Sequence, residues 1–138
     1  MANTVVESID VAVPVRTAYH QWTQFESLPR FMKGVEVVEQ LDDTHLRWHI
    51  TAGVQRREFD AVITERLPDE RVAWTSTEGP THAGAVTFHR LDGDETRVTI
   101  RLDWQPAGVA EKVGSVIGAD EWRVKADLKR FKAFIENR

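Results

Sequence analysis

From Thr4 to Val13 the side chains of Val5, Ile9, Val11 and Val13 share one parity and Thr4, Ser8 and Asp10 the other, the period-two signature of a strand with one buried face. Val6 and Glu7 break the alternation locally. Pro14 ends this strand and suits the first position of a helix, where its missing N–H is harmless. Val15, Tyr19 and Trp22 then recur at helical spacing and predict a short helix to about Thr23. The next segment, Phe25 to Met32, is too short for an independent helix and is interrupted by Pro29. Its large apolar side chains, Phe25, Leu28, Phe31 and Met32, must therefore pack on something.

Beyond Gly34 the period of two returns in six runs: Val35 to Leu41, His45 to Thr51, Gln55 to Arg66, Arg71 to Thr77, His82 to Leu91 and Arg97 to Gln105. They are separated by Asp42-Asp43, Ala52-Gly53, Pro68-Asp69-Glu70, Gly79-Pro80 and Asp92-Gly93-Asp94, compact turns of the kind that join antiparallel neighbours. One face of the resulting sheet reads Leu46, Trp48, Ile50; Phe59, Ala61, Ile63; Val72, Trp74; Val86, Phe88; and Val98, Ile100, Leu102, Trp104. The other face carries Arg47, His49, Glu58, Asp60, Thr99, Arg101 and Asp103, which suit water.

The apolar face needs a cover. Ala107 to Ile117 is weakly helical and interrupted by Gly108 and Gly114; past Gly118, Val124, Leu128, Phe131 and Ile135 form one apolar stripe of a long helix. Asp120 is placed to cap that helix, and Lys129, Arg130 and Lys132 lie toward its C-terminal half, where positive charge suits the dipole. Seven strands and this helix predict an α+β fold: a curved antiparallel sheet wrapped around a long C-terminal helix, with two short helices between strands one and two.

Composition narrows the function. The 138 residues fit one domain, 1–138, with a single core. A net charge of -4 with scattered Lys and Arg offers no basic stripe for phosphates, so nucleic acid is not an expected partner. The absence of cysteine excludes disulfides, thiolate metal ligands and a thiol nucleophile, in keeping with a reducing compartment. Met1 to Val13 lacks the basic start and apolar run of a secretory signal, and no stretch approaches the ~20 apolar residues of a membrane span. A cytoplasmic protein without stable membrane insertion is expected; oligomeric state has no signal in the sequence.

The order of elements, with the stretches WTQFESLPRFMKGVEVVEQLDD, ITERLPDERVAWTS, GAVTFHRLDGDETRVTI and DLKRFKAFIENR, resembles the START-like polyketide cyclase/dehydrase family along essentially the whole chain. Phe25, Leu28, Pro29 and Phe31 also resemble a Phe, Leu-Pro, Phe stretch in the more distant coenzyme Q-binding branch of that superfamily. The resemblance implies a helix-grip fold with a hydrophobic cavity between sheet and helix. It implies no reaction, because this fold hosts carriers, binders and cyclases alike.

Five tryptophans are the strongest local signal: Trp22, Trp48, Trp74 and Trp104 fall on inward faces and Trp122 opens the long helix. With Phe59 they form either an ordinary filled core or the aromatic wall of a site for a polyketide, quinone or lipid. Phe25, Leu28, Phe31 and Met32 form either a plug at the core's end or a lid over the cavity, and Gly108, Gly114 and Gly118 either permit movement before the long helix or mark a loop. A cyclase or dehydratase needs an acid/base group and a donor or cation beside the developing enolate. The candidates are Tyr19, the sole tyrosine; Arg57, which shares parity with Phe59; and His82, beside Gly79 and Pro80. His45 and His49 stand roughly 13 Å apart along one strand, too far to share a metal. No metal, cofactor, nucleotide loop or nucleophile motif is read. A filled core with no cavity would point instead to a domain that recruits a protein partner.

Overall fold

The computed structural model describes residues 3–33, 35–52, 55–77, 82–104 and 121–137. Seven antiparallel strands form one sheet in the order β1-β7-β6-β5-β4-β3-β2. They are β1 (Asn3–Val11), β2 (Val35–Gln40), β3 (His45–Ala52), β4 (Gln55–Leu67), β5 (Arg71–Ser76), β6 (His82–Asp92) and β7 (Glu95–Trp104). Helix α1 (Val15–Trp22) and a 3-10 helix (Phe25–Arg30) lie between β1 and β2, and α2 (Glu121–Glu136) follows β7. This is the expected α+β architecture with both short helices in place.

The period of two selects the buried face as read from the sequence. Leu46, Trp48, Ile50, Ala61, Ile63, Val72, Trp74, Val86, Phe88, Val98, Ile100 and Leu102 are all buried. Direct cross-strand pairs such as Trp48 with Phe59, Leu46 with Ala61 and Phe88 with Val98 keep them on one side, since paired residues project together. The opposite face is laced by pairs of unlike charge: Arg47 with Asp60, Arg97 with Asp10, and Arg71 with Glu65, each 2.8–2.9 Å.

Two details depart from the sequence reading, and one turn agrees with it. Strand β1 ends at Val11, and Pro14 is the cap before α1 rather than its first residue: its carbonyl accepts from Thr17 and Ala18. Gln21, which the apolar spacing overlooks, is buried and donates to the Ser27 hydroxyl at 2.9 Å, tying α1 to the 3-10 helix. The turn Leu67 to Glu70 closes with Glu70 N–H on the Leu67 carbonyl and holds Asp69 at φ 63°. Proline second and a left-handed residue third is the type II pattern, in which Asp is one of the few non-glycine residues tolerated.

Helix α2 closes the fold by joining the β1 edge of the sheet to the Phe31–Lys33 segment that precedes β2. Its buried stripe, Val124, Leu128, Phe131 and Ile135, faces the core as the spacing predicts. On one flank Lys132 donates to the Asp10 carbonyl of β1 and to Glu136, whose carboxylate accepts the Ala12 N–H at 2.7 Å. On the other, Arg130 donates to the Phe31 carbonyl at 3.0 Å and pairs with Asp127, which accepts the Lys33 N–H. Lys132 and Arg130 thus also join α2 to neighbouring elements. The Ala107 to Ile117 segment and Asp120 lie outside the described residues.

Candidate functional site

The concave face carries an aromatic stack across β3, β4 and β5. Trp48 lies parallel to Phe59, centroids 6.1 Å apart at 3°, and to Trp74, 5.5 Å apart at 25°. Both tryptophans are 2% exposed. Backbone register explains the assembly: Trp48 opposes Phe59 directly, and β4 then places Ile63 opposite Trp74. Trp74 also opposes Gly84 on β6, and its indole lies over that glycine so closely that a Cβ there would come within 2.3 Å of Cζ2. Gly84 is the site residue that sequence reasoning missed.

A second aromatic group closes the far side of the core. Trp22 from α1 and Phe31 after the 3-10 helix meet edge-on at 5.4 Å, and both contact Phe131 of α2. Phe25, Leu28, Phe31 and Met32 are buried to 8% exposure or less. In this structure the segment is packed against the core, with Arg130 bonded to the Phe31 carbonyl. A hollow of 290 Å³ opens on its outer side, lined by Thr23, Gln24, Glu26, Ser27, Arg30 and Gln40 around the buried Phe25. That lining is mostly polar and shares no residue with the aromatic stack.

The polar candidates are spread along the sheet. Tyr19 packs edge-on against Phe88, 5.4 Å away, beside the β4–β5 turn. Burial pushes its phenol above the ordinary value, with Arg66 opposing and Asp69 adding to the effect, so the hydroxyl is protonated at neutral pH. His82 is six residues from Phe88 on β6, about 20 Å along the strand. Arg57 pairs with Ile50, two positions beyond the Phe59–Trp48 pair. Tyr19 therefore stands at the opposite end of the sheet from the backbone positions of Arg57 and His82. The side chains of Arg57, His82, Trp104 and Trp122 lie outside the described residues.

Four buried polar atoms have no hydrogen-bond partner among the described residues: Tyr19 Oη and the Nε1 atoms of Trp22, Trp48 and Trp74. Among the same residues no cluster of His, Asp or Glu is arranged to hold a metal ion, and no helix is long and apolar enough to cross a membrane. His45 leans on Asp42, and His49 bridges Glu39 and Glu58 through opposite ring nitrogens. His49 is thus a hydrogen-bonded member of the outer face.

A curled seven-stranded antiparallel sheet gripping a C-terminal helix defines the helix-grip, START-like class. The chain belongs to the polyketide cyclase / dehydrase and lipid transport family, which matches residues 11–133. It is 55% identical over 135 residues to an uncharacterized 17.2 kDa protein of Streptomyces lincolnensis, covering 97% of this chain and 90% of that one. Among solved structures it is similar to the Zhui aromatase/cyclase of a Streptomyces species, with a TM-score of 0.84, 16% identity and coverage of 100% and 96% of the two chains. A START superfamily protein of Mycobacterium smegmatis superposes with a TM-score of 0.80 at 15% identity, covering 97% of each chain. These two likenesses are of fold.

Proposed function

We propose that the chain acts as one ligand-binding domain that holds a hydrophobic small molecule, a polyketide, quinone or lipid, between the sheet and α2. The observation that carries this reading is the parallel arrangement of Trp48, Phe59 and Trp74 on the concave face. Stacked rings present a broad, rigid, polarisable surface to a flat apolar partner at little entropic cost. Gly84 supports the reading, because it gives up a side chain so that the Trp74 ring can lie flat on the sheet. Membership of a cyclase, dehydrase and lipid transport family agrees with it.

The wall of the site is Trp48, Phe59 and Trp74, to which the sequence adds Trp104 and Trp122. Trp22, Phe25, Leu28, Phe31 and Met32 form its closed end. Equilibrium dialysis against aromatic polyketides, quinones and long-chain fatty acids tests the assignment: retention by the wild type and loss on Trp48→Ala or Trp74→Ala in a folded protein supports it. No retention of any class would refute it.

Cyclisation or dehydration of a polyketide in the same place is the second reading, favoured by the family and by the aromatase/cyclase fold likeness. Its polar participant would be Tyr19 at one end of the sheet or Arg57 with His82 at the other, since the three do not converge on one point. Turnover of a linear poly-ketone, abolished by Tyr19→Phe or Arg57→Gln with binding retained, would establish it.

A further inference from the structure

The unpartnered indole N–H groups of Trp48 and Trp74 say something about the ligand that the ring faces do not. Each residue is 2% exposed, and neither Nε1 has an acceptor among the described residues. A donor removed from water and left unpaired forfeits its hydrogen bond and regains nothing, so buried indoles ordinarily find an acceptor.

Stacking geometry separates these two donors from the other two unpaired groups. Tyr19 and Trp22 each have an edge-to-face neighbour, Phe88 at 76° and Phe31 at 80°, an arrangement that offers a ring edge a π cloud. An indole N–H lies in the plane of its own ring. The stacked neighbours of Trp48 are tilted only 3° and 25° from it, so neither Phe59 nor Trp74 can turn a π face toward that N–H, and Trp74 stands in the same relation to Trp48. An acceptor for either must approach in the plane of the rings, at the rim of the stack.

Resting on the ligand-binding reading above, we propose that Trp48 and Trp74 form a donor pair that selects planar conjugated molecules bearing carbonyl oxygens over hydrocarbons of the same shape and over saturated chains. The rings supply the apolar surface, and the two N–H groups supply the discrimination. A saturated chain leaves both donors unpaired, and an unpaired donor in a buried site is what rejects the wrong ligand.

The test uses 1,4-naphthoquinone and naphthalene as a matched pair, with palmitate as the saturated probe. The chain has no cysteine for the quinone to arylate. Binding is followed by 1H–15N spectra of the indole N–H groups on the whole protein. Two hydrogen bonds predict roughly tenfold tighter binding of the quinone than of naphthalene, with the Trp48 and Trp74 signals moving downfield for the quinone alone. Trp48→Phe and Trp74→Phe keep a smaller ring and remove a donor; each is expected to weaken the quinone a few-fold more than it weakens naphthalene, so that the preference between the two probes shrinks. Equal affinity for the two probes without downfield movement overturns the donor pair while leaving the apolar site standing. Failure of all three probes to bind overturns both.

Discussion

The indole of Trp74 and the bare Cα of Gly84 occupy facing positions on β5 and β6, and the ring fills the space that any other side chain at 84 would claim. A methyl group there would sit 2.3 Å from Trp74 Cζ2, inside van der Waals contact with a ring that is itself held against Trp48. Gly84→Ala is therefore expected to rotate the indole off the sheet and to destabilise the fold by about 1–3 kcal/mol through overpacking. Chemical denaturation gives the energy and near-ultraviolet circular dichroism reports the broken Trp48–Trp74 stack. An unchanged spectrum would mean that the ring position does not depend on the glycine.

Phe131 is fully buried and touches both Trp22 and Phe31, so it joins α2 to α1 and to the segment after the 3-10 helix. Phe131→Ala leaves a cavity among three elements and is expected to cost about 3–5 kcal/mol in urea unfolding. Truncating exposed Leu41 on the same scale is expected to cost under about 0.5 kcal/mol.

Arg130 spans from α2 to the Phe31 carbonyl, with Asp127 holding both the guanidinium and the Lys33 N–H. Its side chain is 31% exposed, which dilutes the interaction, and Arg130→Ala is expected to cost about 1 kcal/mol. The effect should be local. Hydrogen exchange at residues 31–33 is predicted to accelerate several-fold more than exchange in the centre of β6. Uniform acceleration would show that the arginine supports the whole fold and not this segment alone.

Asp42 accepts from the Thr44 and His45 backbone N–H groups and from the His45 ring, and these bonds hold its carboxyl down at about 2. The sign follows from the depressed folded value: the contribution to stability is present above the ordinary carboxylate pKa of 3.8 and is lost as pH falls through 2. Carbon-detected titration of the Asp42 carboxyl checks it, and a midpoint near 3.8 would show that the turn does not hold the charge.

Much of the fold was legible because period-two burial is a local property. Trp48, Ile50, Val72 and Val86 declare their face through their own neighbours in sequence, and α2 does so through Val124, Leu128, Phe131 and Ile135. Relations between distant residues were not legible. Arg130 and Phe31 are separated by 99 positions, and nothing near either marks the pairing. Gly84 reads as an ordinary strand glycine until the register sets Trp74 opposite it. At the site, parity placed Trp48, Phe59 and Trp74 on one face, but their stacking follows from the β3–β4–β5 register. Whether Phe25 to Met32 is lid or plug depends on Phe131 and Arg130, far along the chain.

Native mass spectrometry of the protein purified from its own host, with organic extraction of whatever it carries, tests the central claim most directly. The account predicts a recurrent apolar small molecule, lost on Trp74→Ala while the protein stays folded. A bare protein from the host that also retains no polyketide, quinone or fatty acid would contradict it, leaving the aromatic stack as filled core.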